Sequence, residues 1–249
     1  MAGHSKWKQI KRKKAVADAR RGAAFTKLIR EITIAARQSG GDPAGNPRLR
    51  TAIEAARAEN MPMENIERAI KKGTGELEGV QYEEATYEGY GPGGAAIFIE
   101  ATTDNANRTV AEIRHLFTRY GGNLGAAHSV AWMFERKAQI TVDATKADED
   151  ATMEAALDAG ADDMTRDGDL FLVTALPSQL PAVVDRLQAR RIPVQSAEIA
   201  MIPMSTVRIE GKDAKKLLEL VEALEEMDDV AKVSSNFDID AEAMAAVTG

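Results

Sequence analysis

The feature that most narrows the fold is a change in the spacing of apolar residues near Gly75. Before it, Phe25, Leu28, Ile29, Ile32 and Ala36 recur at helical intervals, as do Leu49, Ile53 and Ala56, and then Ile66, Ala69 and Ile70. Three amphipathic helices follow from that pattern. The Gly/Pro/Asn linker SGGDPAGNP, the pair Asn60 and Pro62, and Gly73 with Gly75 after Lys71 and Lys72 mark their ends. Beyond Gly75, strand-like runs (AAIFIEATT, VAWMFE, QITV, LFLVTA, STVRIE, AKVSSNFDI) alternate with amphipathic segments at about 108–120, 149–159, 180–190 and 214–227. Residues 137–204 read β, α, β, α, β, a ferredoxin-like half repeated. The elements on either side complete one another. The expected fold is therefore α+β and multidomain: a helical domain (1–75), a discontinuous α+β domain (76–136 plus 205–249), and a ferredoxin-like domain inserted into it (137–204).

Charge divides along the same line. Of the 32 basic and 39 acidic side chains, residues 1–72 hold 17 and 7, leaving 15 and 32 for the rest. The net charge of −7 is thus a +10 part joined to a −17 part. Such asymmetry points to a polyanion contact at one end, or to two oppositely charged parts docked on each other. The first 14 residues, MAGHSKWKQIKRKK, carry six cations and no acid, the composition of an arm that orders on binding. Lys6, Lys8, Lys11, Arg12, Lys13 and Lys14 surround Trp7, and Arg20, Arg21, Lys27 and Arg30 follow. Cations neutralise phosphates and release counterions, and an indole can stack on an unpaired base. These eleven residues are the expected nucleic-acid contacts, against the alternative of a solvated basic face. Phosphate contacts carry no base sequence, so specificity is not expected from them.

Other motifs carry less chemistry. Gly89, Gly91, Gly93 and Gly94 follow Tyr87 and flank Tyr90 in YEGYGPGG, but a strand follows where a nucleotide cradle needs a helix, so a strand-joining loop is expected. Asp104 or Asn105 suits the cap of the next helix, with Arg108 in its first turn able to face a phosphate or partner. Gly121, Gly122, Asn123, Leu124 and Gly125 form a helix-ending run that could serve as a binding tip. Tyr90, Gly91, Gly93, Asn105, Arg108, Gly121, Gly122, Asn123 and Gly125 are accordingly the candidate functional loops. Glu222, Glu225, Glu226, Asp228 and Asp229 read as a solvated acidic face, able also to attract a basic partner or the basic arm. The acids around the DGD turn before LFLVTA fail the calcium-loop spacing and suit a hairpin.

Enzymatic signatures are missing. The chain has no Cys, and His4, His115 and His128 are scattered without a metal or triad pattern. No catalytic residue, metal, cofactor or small-molecule substrate is expected. The apolar runs are too short for a membrane span and the N-terminal stretch lacks the apolar core of a secretory signal, so a cytoplasmic protein without a membrane partner is expected.

The strings GHSKWKQIKRKK, FTKLIREI, GGDPAGNPRLR, NIERAIKKGTG, YEGYGPGG, TDNANRTVAEIRH, GGNLG and SVAWMF resemble the YebC family of bacterial proteins, which includes the mitochondrial translational activator of cytochrome c oxidase. They cover the first 134 residues densely. The resemblance implies three domains, the third inserted in the second, and no catalytic residues. It also implies a DNA-binding transcriptional regulator or, alternatively, a factor bound to ribosomal RNA on the ribosome that relieves stalling at difficult sequences such as proline runs. Ala23 and Ala24, and Ala126, Ala127 and His128 after GGNLG, depart from the usual residues of that family.

Overall fold

A computed structural model describes residues 17–240, with the side chains of 17–21 and 23 outside the description. Among the described residues three helices come first: α1 (Ala17–Ser39), α2 (Pro47–Ala58) and α3 (Met63–Thr74). Their apolar stripes meet in one core of Ile32, Ala35, Ala36, Leu49, Ile53, Ala56, Ile66 and Ala69. The linker before α2 closes through Asn46, which is buried. Its Oδ1 accepts the Leu49 N–H at 3.0 Å while its Nδ2 donates to the carbonyls of Ala35 and Gly40, so one side chain caps α2 and ties it to the end of α1. Gly75 ends α3 in the left-handed region at φ +85°. Gly73 does not stop the helix. It lies inside α3, where a Cβ would sit 2.4 Å from the Thr33 carbonyl oxygen, so its role is the close approach of α1 and α3.

The second unit is a sheet of strand order β3-β1-β2-β9 built from β1 (Glu83–Tyr90), β2 (Ala96–Thr103), β3 (Asn123–Leu124) and β9 (Val230–Ser235). All its pairings are antiparallel. Helices α4 (Ala106–Tyr120) and α7 (Gly211–Glu226) cover one face, and Ile97, Ile99, Ile113, Phe117, Leu217 and Leu224 fill the space between. The opposite face presents Ala96 and Phe98 to Val130 and Phe134. A short parallel pair, β8 (Val207–Arg208) with β10 (Phe237–Asp238), completes this unit.

Between β3 and β8 the chain builds a third unit from β4 (Phe134–Asp143), α5 (Glu149–Asp158), β5 (Ala161–Asp167), β6 (Leu170–Ala175), α6 (Leu180–Ala189) and β7 (Val194–Pro203), with sheet order β5-β6-β4-β7. The fold is therefore α+β, with a helical domain followed by two α+β domains, the third inserted into the second. Two expectations change in detail. The inserted unit is βαββαβ rather than β, α, β, α, β, because ADDMTRD forms an edge strand in which Met164 is the one fully buried residue. VAWMFE is not a strand of its own: Ala131–Met133 is a 3-10 turn, and β4 runs unbroken from Phe134 through QITV. Lys232 of β9 joins the two sheets, reaching Glu198 at 2.9 Å and the Ile199 carbonyl at 2.7 Å.

Candidate nucleic-acid interface

Lys6, Trp7, Lys8, Lys11, Arg12, Lys13 and Lys14 lie outside the described residues, and Arg20 and Arg21 lie on α1 with side chains outside the description. Lys27 and Arg30 are described, and they face the protein. Lys27 Nζ donates to the carbonyl of Glu225 at the end of α7. Arg30 donates to the carbonyls of Thr102 at 3.0 Å and Asp228 at 2.9 Å and pairs with Asp229 at 2.5 Å. Only 11% of the Arg30 side chain and 6% of the Asp229 side chain are exposed. The expectation that Arg30 contacts phosphate is thus corrected: withdrawing it would take from the buried Asp229 the more buried of its two cationic partners, a costly loss.

Asp229 collects these donors from two helices. Thr109 Oγ1 lies 2.6 Å away and Arg108 donates at 2.9 Å, both from α4, while Arg30 reaches it from α1. Burial by itself would raise the carboxyl pKa, but Thr109, Arg108 and Arg30 outweigh it and bring the value from 3.8 down to about 2. Asp229 is therefore no part of a solvated acidic face. It follows α7 rather than lying on it, and it clamps the basic helix to the second domain. Arg108 is held as well, with Asp104 at 2.5 Å on its other side, and its side chain is 42% exposed. Asn105 caps α4, its side chain accepting the Arg108 N–H at 3.1 Å. A second clamp joins the same two domains, where Arg48 of α2 pairs with Glu31 and with Glu84 of β1, each at 2.7 Å.

The glycine loops are packed rather than poised. A Cβ on Gly91 would stand 2.6 Å from Leu217 Cδ1, and one on Gly93, at φ +72°, would stand 2.7 Å from Ile209 Cδ1. That loop therefore closes the β1–β2 hairpin against α7 and β8, with no phosphate cradle. Gly121 ends α4 at φ +82°, Gly122 leaves no room for a Cβ beside the Tyr90 carbonyl oxygen, and Asn123 pairs with Tyr90 in the sheet. The Gly125 N–H donates to the Glu88 carbonyl at 2.8 Å. The run that follows α4 is thus held to the sheet edge from Gly122 to Gly125.

Sequence reasoning passed over Glu88. This carboxylate is 4% exposed and accepts the backbone N–H groups of His128 (2.8 Å), Val130 (2.7 Å) and Ala131 (2.8 Å). Burial pushes its pKa up, yet the three amides bring it below the usual carboxylate value. It fixes the loop that displays Trp132, whose side chain is exposed and whose indole N–H donates to the Ser129 carbonyl, which also accepts from the Tyr90 hydroxyl. The one legible signal was position: Glu88 pairs with Phe98 and shares its face of the sheet.

Both buried carboxylates make the protein acid-sensitive. Their folded pKa values lie below the ordinary ones, so their stabilisation is complete above about pH 4.5 and is lost as pH falls. Asp229 contributes about 2 kcal/mol, lost between about pH 4 and 2. Urea midpoints measured across that range should fall less for Asp229→Asn than for the wild type; parallel curves would remove Asp229 from this account.

No helix among the described residues is long and apolar enough to cross a membrane. Two family models match: residues 5–76 fit the "TACO1/YebC protein N-terminal domain" and residues 82–237 the "TACO1/YebC second and third domain". A relative from Gemmatimonas aurantiaca is 58% identical over 98% of this chain and 99% of its own, and one from Desulforapulum autotrophicum is 54% identical over 96% and 97%; both are named "probable transcriptional regulatory protein". The crystal structure of a conserved hypothetical protein from Aquifex aeolicus superposes with a TM-score of 0.83 at 50% identity, covering 90% of this chain and 93% of that one. With matched models spanning the helical domain and both α+β domains, the chain belongs to the TACO1/YebC family.

Proposed function

We propose that this chain is a non-enzymatic, cytoplasmic regulator of gene expression that binds nucleic acid through its basic N-terminal end, in the manner of a DNA-binding transcriptional regulator. The observation that carries this reading is the charge split, +10 in residues 1–72 against −17 in the rest. The names of its relatives agree with it. Lys27 and Arg30 belong to the docking of α1. The phosphate contacts fall to Lys6, Lys8, Lys11, Arg12, Lys13, Lys14, Arg20 and Arg21, with Trp7 as the stacking surface. Residues 1–75 form the binding unit, while 76–136 with 205–249, and the inserted 137–204, form the acidic body that holds it.

One observation favours a second reading, in which the same arm grips ribosomal RNA. Four residues separate α2 from α3, as in a helix-turn-helix, yet α3 carries Glu64 in its first turn, exposes Glu67, and ties Arg68 to Glu64 at 2.5 Å. Carboxylates at the start of a would-be recognition helix oppose its entry into a groove lined by phosphates. The quadruple variant Lys11, Arg12, Lys13, Lys14→Ala separates the two. Lost promoter occupancy with unchanged ribosome pausing supports transcription. Lost ribosome cosedimentation with new pauses overturns it in favour of translation. Trp7→Ala should weaken single-strand binding by about 1–3 kcal/mol, measured by fluorescence anisotropy. Equal affinity would leave Trp7 without a stacking role.

A further inference from the structure

An open groove of about 510 Å³ runs between α4 and α7. Ala111, His115, Leu116, Ala223 and Met227 line it, with Glu112 on the α4 wall and Glu226 on the α7 wall. Its volume falls in the range of small-ligand clefts, but openness and a carboxylate on each wall suit a basic peptide carrying an apolar side chain. The chain possesses such a segment. In Lys6-Trp7-Lys8 a large indole stands between two cations, and the six cations of the first 14 residues meet no acid of their own. Met227 adds a thioether to the floor, a favourable neighbour for an aromatic ring.

Chain length permits the match. Lys27 of α1 rests on the carbonyl of Glu225, one residue from Glu226, which places α1 beside this end of the groove. From Lys27 back to Ala17 the helix spans about 15 Å. The ten residues from Ala17 to Trp7 reach up to about 33 Å when extended, enough to retrace that distance.

We propose that this groove is the resting seat of the chain's own N-terminal arm. The Trp7 indole lies against Leu116, Ala223 and Met227, Lys6 and Lys8 pair with Glu112 and Glu226, and nucleic acid must displace the arm to bind it. The competition rests on the functional reading above; the seat does not. An intramolecular contact of this kind favours high-charge, multi-phosphate targets over isolated anions, because only the former release enough counterions to win the arm.

The test uses the full chain carrying Trp132→Phe, which leaves Trp7 as its only indole. Acrylamide quenching of Trp7 without nucleic acid should be lower than in a peptide of residues 1–16. Glu112→Gln with Glu226→Gln should restore quenching and raise single-stranded oligonucleotide affinity about two- to tenfold at low salt. Glu54→Gln with Glu67→Gln, the same change in net charge at exposed sites on α2 and α3, should do neither. Peptide-like quenching of Trp7 in the unsubstituted groove would overturn the seat while leaving the arm's nucleic-acid role intact. Shielding that grows with protein concentration would overturn it in favour of a second copy as the occupant. Shielded Trp7 in a protein whose salt dependence is untouched by deletion of residues 1–14 would keep the seat and overturn both the competition and the functional reading.

Discussion

Replacing Asp229 by alanine should lower stability by about 3–5 kcal/mol, measured as a shift of the urea transition. The substitution leaves Arg30, 11% exposed, without a carboxylate partner, and deprives Thr109 and Arg108 of their shared acceptor. Because Asp229 receives groups from α1 and α4, the loss should also loosen the helical domain from the second domain, seen as faster amide exchange in α1. Asp229→Asn preserves shape and one acceptor oxygen without the charge, so it should fall between alanine and wild type. Asp104→Ala removes only the exposed partner of Arg108 and should cost far less. If Asp229→Ala proved no more damaging than Asp104→Ala, the clamp would have no energetic meaning.

Deleting residues 1–14 should flatten the salt dependence of nucleic-acid binding. Five to eight neutralised phosphates, at a slope of about −0.7 to −0.9 each in log K against log salt, cost the full chain on the order of a thousandfold in affinity between 50 and 200 mM salt. With Arg20 and Arg21 as the remaining contacts, the slope should shrink to about −2 or shallower. Anisotropy titrations of a labelled oligonucleotide at four or five salt concentrations measure this directly. An unchanged slope would take the arm out of the binding account and move the search to the cations of α2 and α3.

The helical domain was legible because its stripes repeat every three to four residues over a short stretch of chain, and local periodicity needs no knowledge of distant partners. The order of the α+β elements was legible for the same reason. β5 was not, since an edge strand with one fully buried residue, Met164, has no apolar alternation to read. Arg30 and Asp229 looked like members of a basic face and an acidic face. They are 199 residues apart, and only folding sets them 2.5 Å from each other, so charge read along the chain could not separate an ion pair from two solvated groups. Glu88 was hidden similarly: an acid in a strand reads as solvent-facing until the 128–131 backbone folds over it.

By itself the sequence determined where the charges concentrate, which segments are helical, and that helices give way to mixed α+β structure after Gly75, because composition and short-range periodicity are properties of the unfolded chain too. Tertiary structure decided which of the cations are spent. Lys27 and Arg30 dock α1, Arg108 serves Asp229, and the glycine loops pack against α7 and the sheet edge, since burial and opposite charge arise only when distant segments meet.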